Sequence, residues 1–363
     1  MKVLFPVYHP VDPQVIRFVT SELIKKNHQI LIAVFEKEGI IEEIVKSFNL
    51  PYQIVGKLNT KSFNKFIGAR NLFSRLNKIV NNFKPDIIFS PTSPYTGLVN
   101  FFNKIPLVAW ADTETAKINL NSSAPFCDTI LTPVCFNAKV NEKKHIAFAG
   151  YKELAYLHPN WFKPDNGILN KLNINKGEKV ILIRFSNLNA MHDIGLESAV
   201  DGNKGKLLSY IVKLEKYARV YISMTEKSLG VEFEKYRLNI HPADYVNLLS
   251  HCTIYIGEGT TTASEAGVLG IPWINIQSTT RGYLIDQEKY YCLGFRTDNI
   301  DLAFEKAIEW LRDNNLKEKW EVKRQKLLSD KIDVSSFLIW FIENYPGSHS
   351  IMKANPDYQN RFK

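Results

Sequence analysis

The chain has 363 residues, 45% hydrophobic and 12% aromatic, and a formal net charge of +9. That length accommodates two ordinary domains, and the apolar content excludes a disordered chain. No apolar run reaches the roughly 20 residues of a membrane-spanning helix, and "MKVLFPVYHP" has too short an apolar core for a signal peptide. Cys127, Cys135, Cys252 and Cys292 form no CxxC pair, so they read as reduced core residues of a cytoplasmic protein, not a disulfide framework or zinc site.

In chain order, "KVLFPVY" reads as a strand, "DPQVIRFVTSELIKKNH" as a helix, "QILIAVF" as a strand, "GIIEEIVKSFNL" as a helix and "PYQIVGK" as a strand. A basic stretch follows. No acidic residue occurs between Glu43 and Asp86, while Lys57–Lys84 holds seven Lys/Arg, Lys61, Lys65, Arg70 and Arg75 among them. Apolar residues recur between these at helical spacing. Such a helix either lies against an anionic membrane surface or presents a lysine-rich solvated face over a core-facing stripe. The aromatics follow the stripe and no recognition motif accompanies them, so nucleic acid is not an expected partner.

"PDIIFSP", "PLVAWAD", "DTILTPV" and "HIAFAG" are four further strands. Alternation of this kind, with strands apolar on both faces, implies a parallel doubly wound α/β sheet. Near 151–178 the pattern breaks into a Pro-, Asn- and Lys-rich segment. A second alternating set then runs through "VILIRFS", "RVYISMT", "TIYIG" and "PWINIQ" with helices between. The expected division is a basic first domain at 1–152, a second at 153–330, a helix at 331–345 returning to the first domain, and a loose polar tail at 346–363.

The most informative stretch is "GEGTTTASEAGVLGIP", residues 257–272. It joins a buried strand to a helix whose first turn follows the threonines directly. A helix start offers unpaired N–H groups and the positive end of the macrodipole, and so receives anions. Gly257 and Gly259 let backbone approach a phosphate, and Thr260, Thr261 and Thr262 add hydroxyl donors. The alternative is an ordinary Thr-capped connection.

At this point the chain resembles the GT-B superfamily, which pairs two facing Rossmann-like domains across a ligand cleft. That group includes nucleotide-sugar glycosyltransferases and the UDP-N-acetylglucosamine 2-epimerases. The 257–272 segment is similar to the donor-binding segment of the lipid-linked N-acetylglucosaminyl transferases of cell-wall synthesis, and to the Ser-Gly-Gly…Glu-Ala…Gly-Pro segment of the epimerases. The resemblance implies that Gly259 and the threonines contact a diphosphate and that Glu265 binds the ribose, where a carboxylate can accept from both hydroxyls of a cis-diol. "ADTETA" (111–116), "GYKELAYLHP" (150–159) and "IGEGTTTASEAGVLGIP" also resemble, in order, the hallmark segments of an uncharacterised domain-of-unknown-function family in this superfamily, over roughly 1–345. Two epimerase signatures are replaced here, by "PVYHPVDPQ" in the first loop and "RFSNLNAMHD" after the first strand of the second domain.

Candidate chemical groups follow from strand ends, where open α/β sheets bind ligands. Arg184, ending "VILIR", could pair bidentately with a diphosphate or form a salt bridge between domains. Arg281 is a second nucleotide candidate or an ordinary surface arginine. Asp112 and Glu114 alternate in "ADTETA", so an extended loop could turn both one way, as acid–base groups or helix caps. His9, ending the first strand, and His192, near Arg184, are further acid–base candidates. Lys152 and Glu153 sit at the expected junction and read as hinge or packing residues.

The expected activity is a metal-independent, nucleotide-sugar-dependent glycosyltransferase of cell-envelope or surface-glycan synthesis. It would need no cofactor and would use a nucleotide sugar, UDP-linked, as substrate. A lipid-linked or anionic acceptor would be reached through peripheral contact of residues 57–84 with the inner face of the membrane. The alternatives are an NDP-sugar 2-epimerase or hydrolase, and a non-catalytic nucleotide-sugar-binding protein.

Overall fold

Continuous apolar runs become the central strands of two parallel sheets, because a strand covered by helices on both faces must be apolar on both. The computed structural model describes residues 1–37, 39–58, 65–185, 204–223, 230–277, 279 and 281–363. Two compact units result: Met1–Trp161 with Asp330–Lys363, and Phe162–Ser329.

In the first unit the strands are β1 (Lys2–Val7), β2 (Gln29–Glu36), β3 (Tyr52–Lys57), β4 (Ile87–Pro91), β5 (Leu107–Trp110), β6 (Thr129–Pro133) and β7 (His145–Phe148). Among the described residues they form one sheet in the order β3-β2-β1-β4-β5-β6-β7, every neighbouring pair parallel. Strand order reverses beside β1, which places the ends of β1 and β4 at the topological switch point. The second unit holds β8 (Val180–Arg184), β9 (Arg219–Ser223), β10 (Ile254–Gly257), β11 (Trp273–Ile276) and β12 (Gly294–Thr297), in the order β12-β11-β10-β8-β9. Each unit is Rossmann-like.

The basic stretch forms a helix at Lys65–Phe83; residues 59–64, including Lys61, lie outside the described residues. Leu72, Leu76, Ile79 and Val80 pack into the sheet's core cluster, with Phe73 and Phe83 partly buried against it. Arg70, Arg75 and Lys78 face solvent. Most of the apolar stripe of this helix is therefore occupied by the core, with Ile67 left exposed beside the charged face. No described helix is long and apolar enough to cross a membrane.

Several expectations are corrected here. The first unit extends to Trp161, beyond the expected boundary at 152, so "GYKELAYLHP" lies inside it. The tail from Pro346 is not loose: it forms a helix at Gly347–Ala354 and a 3-10 turn at Pro356–Phe362. Three hydrogen bonds are among the contacts that hold it. Thr129 Oγ1 lies 2.8 Å from His349 Nδ1, Gln359 Oε1 accepts from the Ala149 N–H at 2.6 Å, and Phe362 O accepts from the Asp333 N–H at 2.7 Å. The helix Val334–Glu343 packs on the helix Asp12–Lys25. Gly150 permits its approach, since a Cβ there would stand 2.5 Å from Val334 Cγ2. Asp333 anchors the return by accepting from Trp161 Nε1 at 2.7 Å and Asn160 Nδ2 at 2.9 Å. Cys127 and Cys252 are buried, and burial pushes the Cys127 thiol up to about 12; Cys292 is exposed and so is not a core residue.

Candidate functional site

The first unit gathers charged groups where β1, β5 and the turn after β7 end. Asp12 opens the helix Asp12–Lys25 and is almost fully buried. Its Oδ2 accepts the N–H groups of Tyr8 at 2.8 Å and His9 at 2.9 Å, which ties down the loop after β1. Burial pushes the Asp12 carboxyl up to about 7; the two backbone N–H groups and the charge of Lys152 oppose the rise, and the charge of Asp112 adds to it. Lys152, itself buried, forms an ion pair with Asp112 Oδ2 and stands 3.3 Å from Glu153 Oε1. Three carboxylates thus share the surroundings of one ammonium.

The sequence candidates separate here. Asp112 joins this cluster, with Thr113 Oγ1 donating to its Oδ1 at 3.2 Å. Glu114 instead accepts from the Asn137 N–H at 3.4 Å, so different partners hold the two carboxylates. His9 is exposed, and its Nδ1 accepts from the Val11 N–H at 3.3 Å. His192 lies outside the described residues. Asp12 is the member that sequence reasoning passes over, because it carries only the signal of an acid at a Pro-containing helix start. Lys152, which reads from its hallmark segment as a hinge or packing residue, is buried in the cluster.

In the second unit β8 and β10 are hydrogen-bonded neighbours, with Arg184 in register with Gly257. The Glu258 N–H donates to Arg184 O at 3.0 Å. This approach leaves no space for a side chain, because a Cβ on Gly257 would stand 2.1 Å from Arg184 O. Gly257→Ala is expected to cost about 2–3 kcal/mol by overpacking. A urea unfolding midpoint equal to that of the wild type would refute the close approach.

Thr260–Val268 is the helix that follows. Gly259 occupies its N-cap with no side-chain cap and no acid in the first turn, so its first N–H groups are not taken by a capping side chain. Thr260 and Thr261 are half-buried, and Thr262 and Glu265 are buried. Tyr283 Oη donates to Thr260 Oγ1 at 3.2 Å. The helix sits on a buried frame in which Trp273 Nε1 donates to Gln287 Oε1 at 3.0 Å and Gln287 Nε2 to Ser264 Oγ at 2.9 Å. Gly267 is small for packing, since a Cβ would meet Gln287 Oε1 at 2.0 Å; Gly270, at φ +76°, ends the helix.

Arg184 lies with its guanidinium 5.3 Å from the centre of the Tyr245 ring. Burial disfavours its charge, but the Glu265 carboxylate and the hydroxyl oxygen of Tyr245 oppose burial, and the guanidinium stays protonated. Burial, more than any other influence, raises the Tyr245 and Tyr255 hydroxyls, so both stay neutral donors. Arg281 is buried at the N-cap of the helix Gly282–Tyr291 and is not a surface arginine. That helix packs against Thr260–Val268. Arg184, Gly257, Gly259, the threonines and Glu265 therefore come together, and Arg281 opens the adjacent helix. Among the described residues, no group of three or more His, Cys, Asp or Glu side chains is placed to hold a metal ion.

The chain is similar to known proteins in three ways. It is 28% identical over 162 residues to a UDP-N-acetylglucosamine–N-acetylmuramyl-(pentapeptide) pyrophosphoryl-undecaprenol N-acetylglucosamine transferase of Clostridium botulinum, a match covering 42% of this chain and 44% of that protein. The chain thus spans less than half the length of this curated relative. Among solved structures, it matches the UDP-GlcNAc 2-epimerase of Neisseria meningitidis bound to UDP-GlcNAc at a TM-score of 0.64 and 16% identity, over 88% of this chain and 94% of that one. It matches the spinosyn forosaminyltransferase SpnP at 0.60 and 13% identity, over 93% and 99%. At these identities the likeness shows the fold alone: GT-B type, with two Rossmann-like domains. The model of the family described as "Protein of unknown function (DUF354)" matches residues 12–335, and the chain belongs to that family.

Proposed function

We propose that the protein is a nucleotide-sugar-dependent glycosyltransferase that works without a metal or cofactor in cell-envelope or surface-glycan synthesis. The observation that carries this reading is the second unit's constellation: a permanently charged arginine at the end of β8 and a helix start without a capping side chain after β10, with a buried glutamate in the second turn. The first two stabilise a leaving diphosphate, the negative charge that develops as the glycosidic bond to the donor breaks. Glu265 takes the ribose hydroxyls. Support for a UDP-linked donor comes from the similar epimerase bound to UDP-GlcNAc, and for a lipid-linked acceptor from the similar pyrophosphoryl-undecaprenol N-acetylglucosamine transferase. The first unit supplies proton-handling groups: exposed His9, the loop-holding Asp12, and the Asp112–Lys152 pair.

A second reading, NDP-sugar 2-epimerisation or hydrolysis, is favoured by the Asp12 carboxyl at about 7, since proton transfer on the sugar needs a group poised near neutrality. A panel of nucleotide sugars without acceptor distinguishes the two. Slow nucleotide diphosphate release, accelerated by acceptor extract, is expected of the transferase, whereas a new epimer or rapidly freed sugar would replace it with the second reading. Binding with no turnover under any condition would remove both.

Glu265→Ala is expected to weaken UDP binding by about 1–3 kcal/mol, because two hydroxyls lose a charged acceptor. Calorimetry giving unchanged UDP affinity in a folded variant would sink the ribose assignment.

A further inference from the structure

We propose that a helical face of the first unit docks on an anionic lipid membrane, through apolar side chains carried not by the basic helix but by its neighbour. The helix Pro94–Asn103 follows β4 and leaves large apolar groups in water: Leu98 is 40% exposed, Phe101 50% and Phe102 63%. On the next helix, Lys117–Ser123, Ile118 is 72% exposed. Scattered single exposures need no explanation, but those of the helix Pro94–Asn103 adjoin one another. The Phe101 and Phe102 rings are 5.2 Å apart. Phe102 lies 5.7 Å from Phe73 of the helix Lys65–Phe83, and Asn103 Nδ2 donates to Asn77 Oδ1 of that helix at 2.7 Å. Gly97 brings Pro94–Asn103 equally close to Lys117–Ser123, for a Cβ there would stand 3.3 Å from the Ser123 Cα.

Charge selects the occupant. None of the three helices contains an Asp or Glu. Exposed Arg70, Arg75 and Lys78 lie on the first, and exposed Lys104 and Lys117 flank the others. The Lys104 Nζ stands 4.8 Å from the centre of the Phe101 ring. Of the carboxylates near these helices, Asp86 accepts the Lys2 N–H at 2.6 Å and Asp128 accepts the Leu107 N–H at 2.8 Å. Exposed phenylalanines among helices that carry lysine and arginine but no acid, with the Lys104 ammonium beside Phe101, match a headgroup layer that is apolar below and anionic above. A second copy of the chain fits poorly, because two such faces would oppose cation to cation.

Sedimentation of the full chain with extruded vesicles tests this, using equal parts phosphatidylglycerol and phosphatidylcholine against phosphatidylcholine alone. The wild type is expected to bind the anionic vesicles at low salt, to ignore the neutral ones, and to dissociate at about 0.5 M NaCl, where the Debye length is short. Phe101→Ser/Phe102→Ser is expected to lower partitioning about tenfold, and Arg70→Gln/Lys78→Gln/Lys104→Gln to do so at low salt only. All five positions are exposed, and circular dichroism checks that each variant folds; if the serine variant does not, the glutamine variant carries the test. The proposal is overturned by a wild type that ignores anionic vesicles, by substituted chains that bind as well as the wild type, or by a concentration-dependent dimer that the serine variant abolishes.

Discussion

Lys152→Met is expected to destabilise the protein by about 3–5 kcal/mol, the range for removing one member of a buried charged cluster. The Lys152 side chain is 6% exposed and its partner Asp112 11%, so solvent screens the pair little. Methionine preserves the stem but removes the ammonium that pairs with Asp112. It also removes the charge that opposes the rise of Asp12, so that carboxyl should move further up. Urea unfolding at neutral pH measures the loss, and the double variant Lys152→Met/Asp112→Asn should recover part of it. A loss below about 1 kcal/mol would mark the pair as no stronger than a surface salt bridge.

Stability should also depend on pH through Asp12. Its folded-state value of about 7 stands above the ordinary 3.8, so the folded chain holds a proton that the unfolded chain releases between those values. The contribution is greatest below pH ~4, declines as pH rises, and is gone above about 7; over the whole window the change is on the order of 4 kcal/mol. Asp12→Asn removes this titration. One amide oxygen can still accept from Tyr8 and His9, because both N–H groups already converge on Oδ2. Between pH 5 and 8 the wild type should lose roughly 2–3 kcal/mol relative to the asparagine variant. If the difference between the two proteins is the same at both pH values, Asp12 titrates in its ordinary range.

Local pattern specified most of the architecture, and its one missed strand shows why. The strands of the first sheet read as apolar runs between turn residues. In the second sheet, "GFRT" forms β12 although each of its residues is only half-buried, so it carries no run of apolar residues to find. Its pairing with β11 comes from the sheet edge that β11 presents. The 257–272 segment was legible too, because strand, glycine turn and helix start are all local. The same locality misled about the tail, whose polar composition hides that Met352, Ser348 and Gln359 find buried places on the first unit.

By itself, the sequence determined the alternation of strands and helices, the parallel sheets, and the glycine-containing strand-to-helix turn at 257–265. Each is encoded within a few residues, by the period of burial or by the conformation a glycine permits. Only the tertiary structure decided that Asp12, Asp112 and Lys152 form one cluster, that Arg281 is buried, and that the basic helix turns its apolar stripe inward while its neighbour turns phenylalanines outward. Parallel strands bring their ends together from positions a hundred or more residues apart, and a carboxyl's proton affinity is set by what then surrounds it. Neither the neighbours nor the loss of water that follows has a counterpart in local sequence.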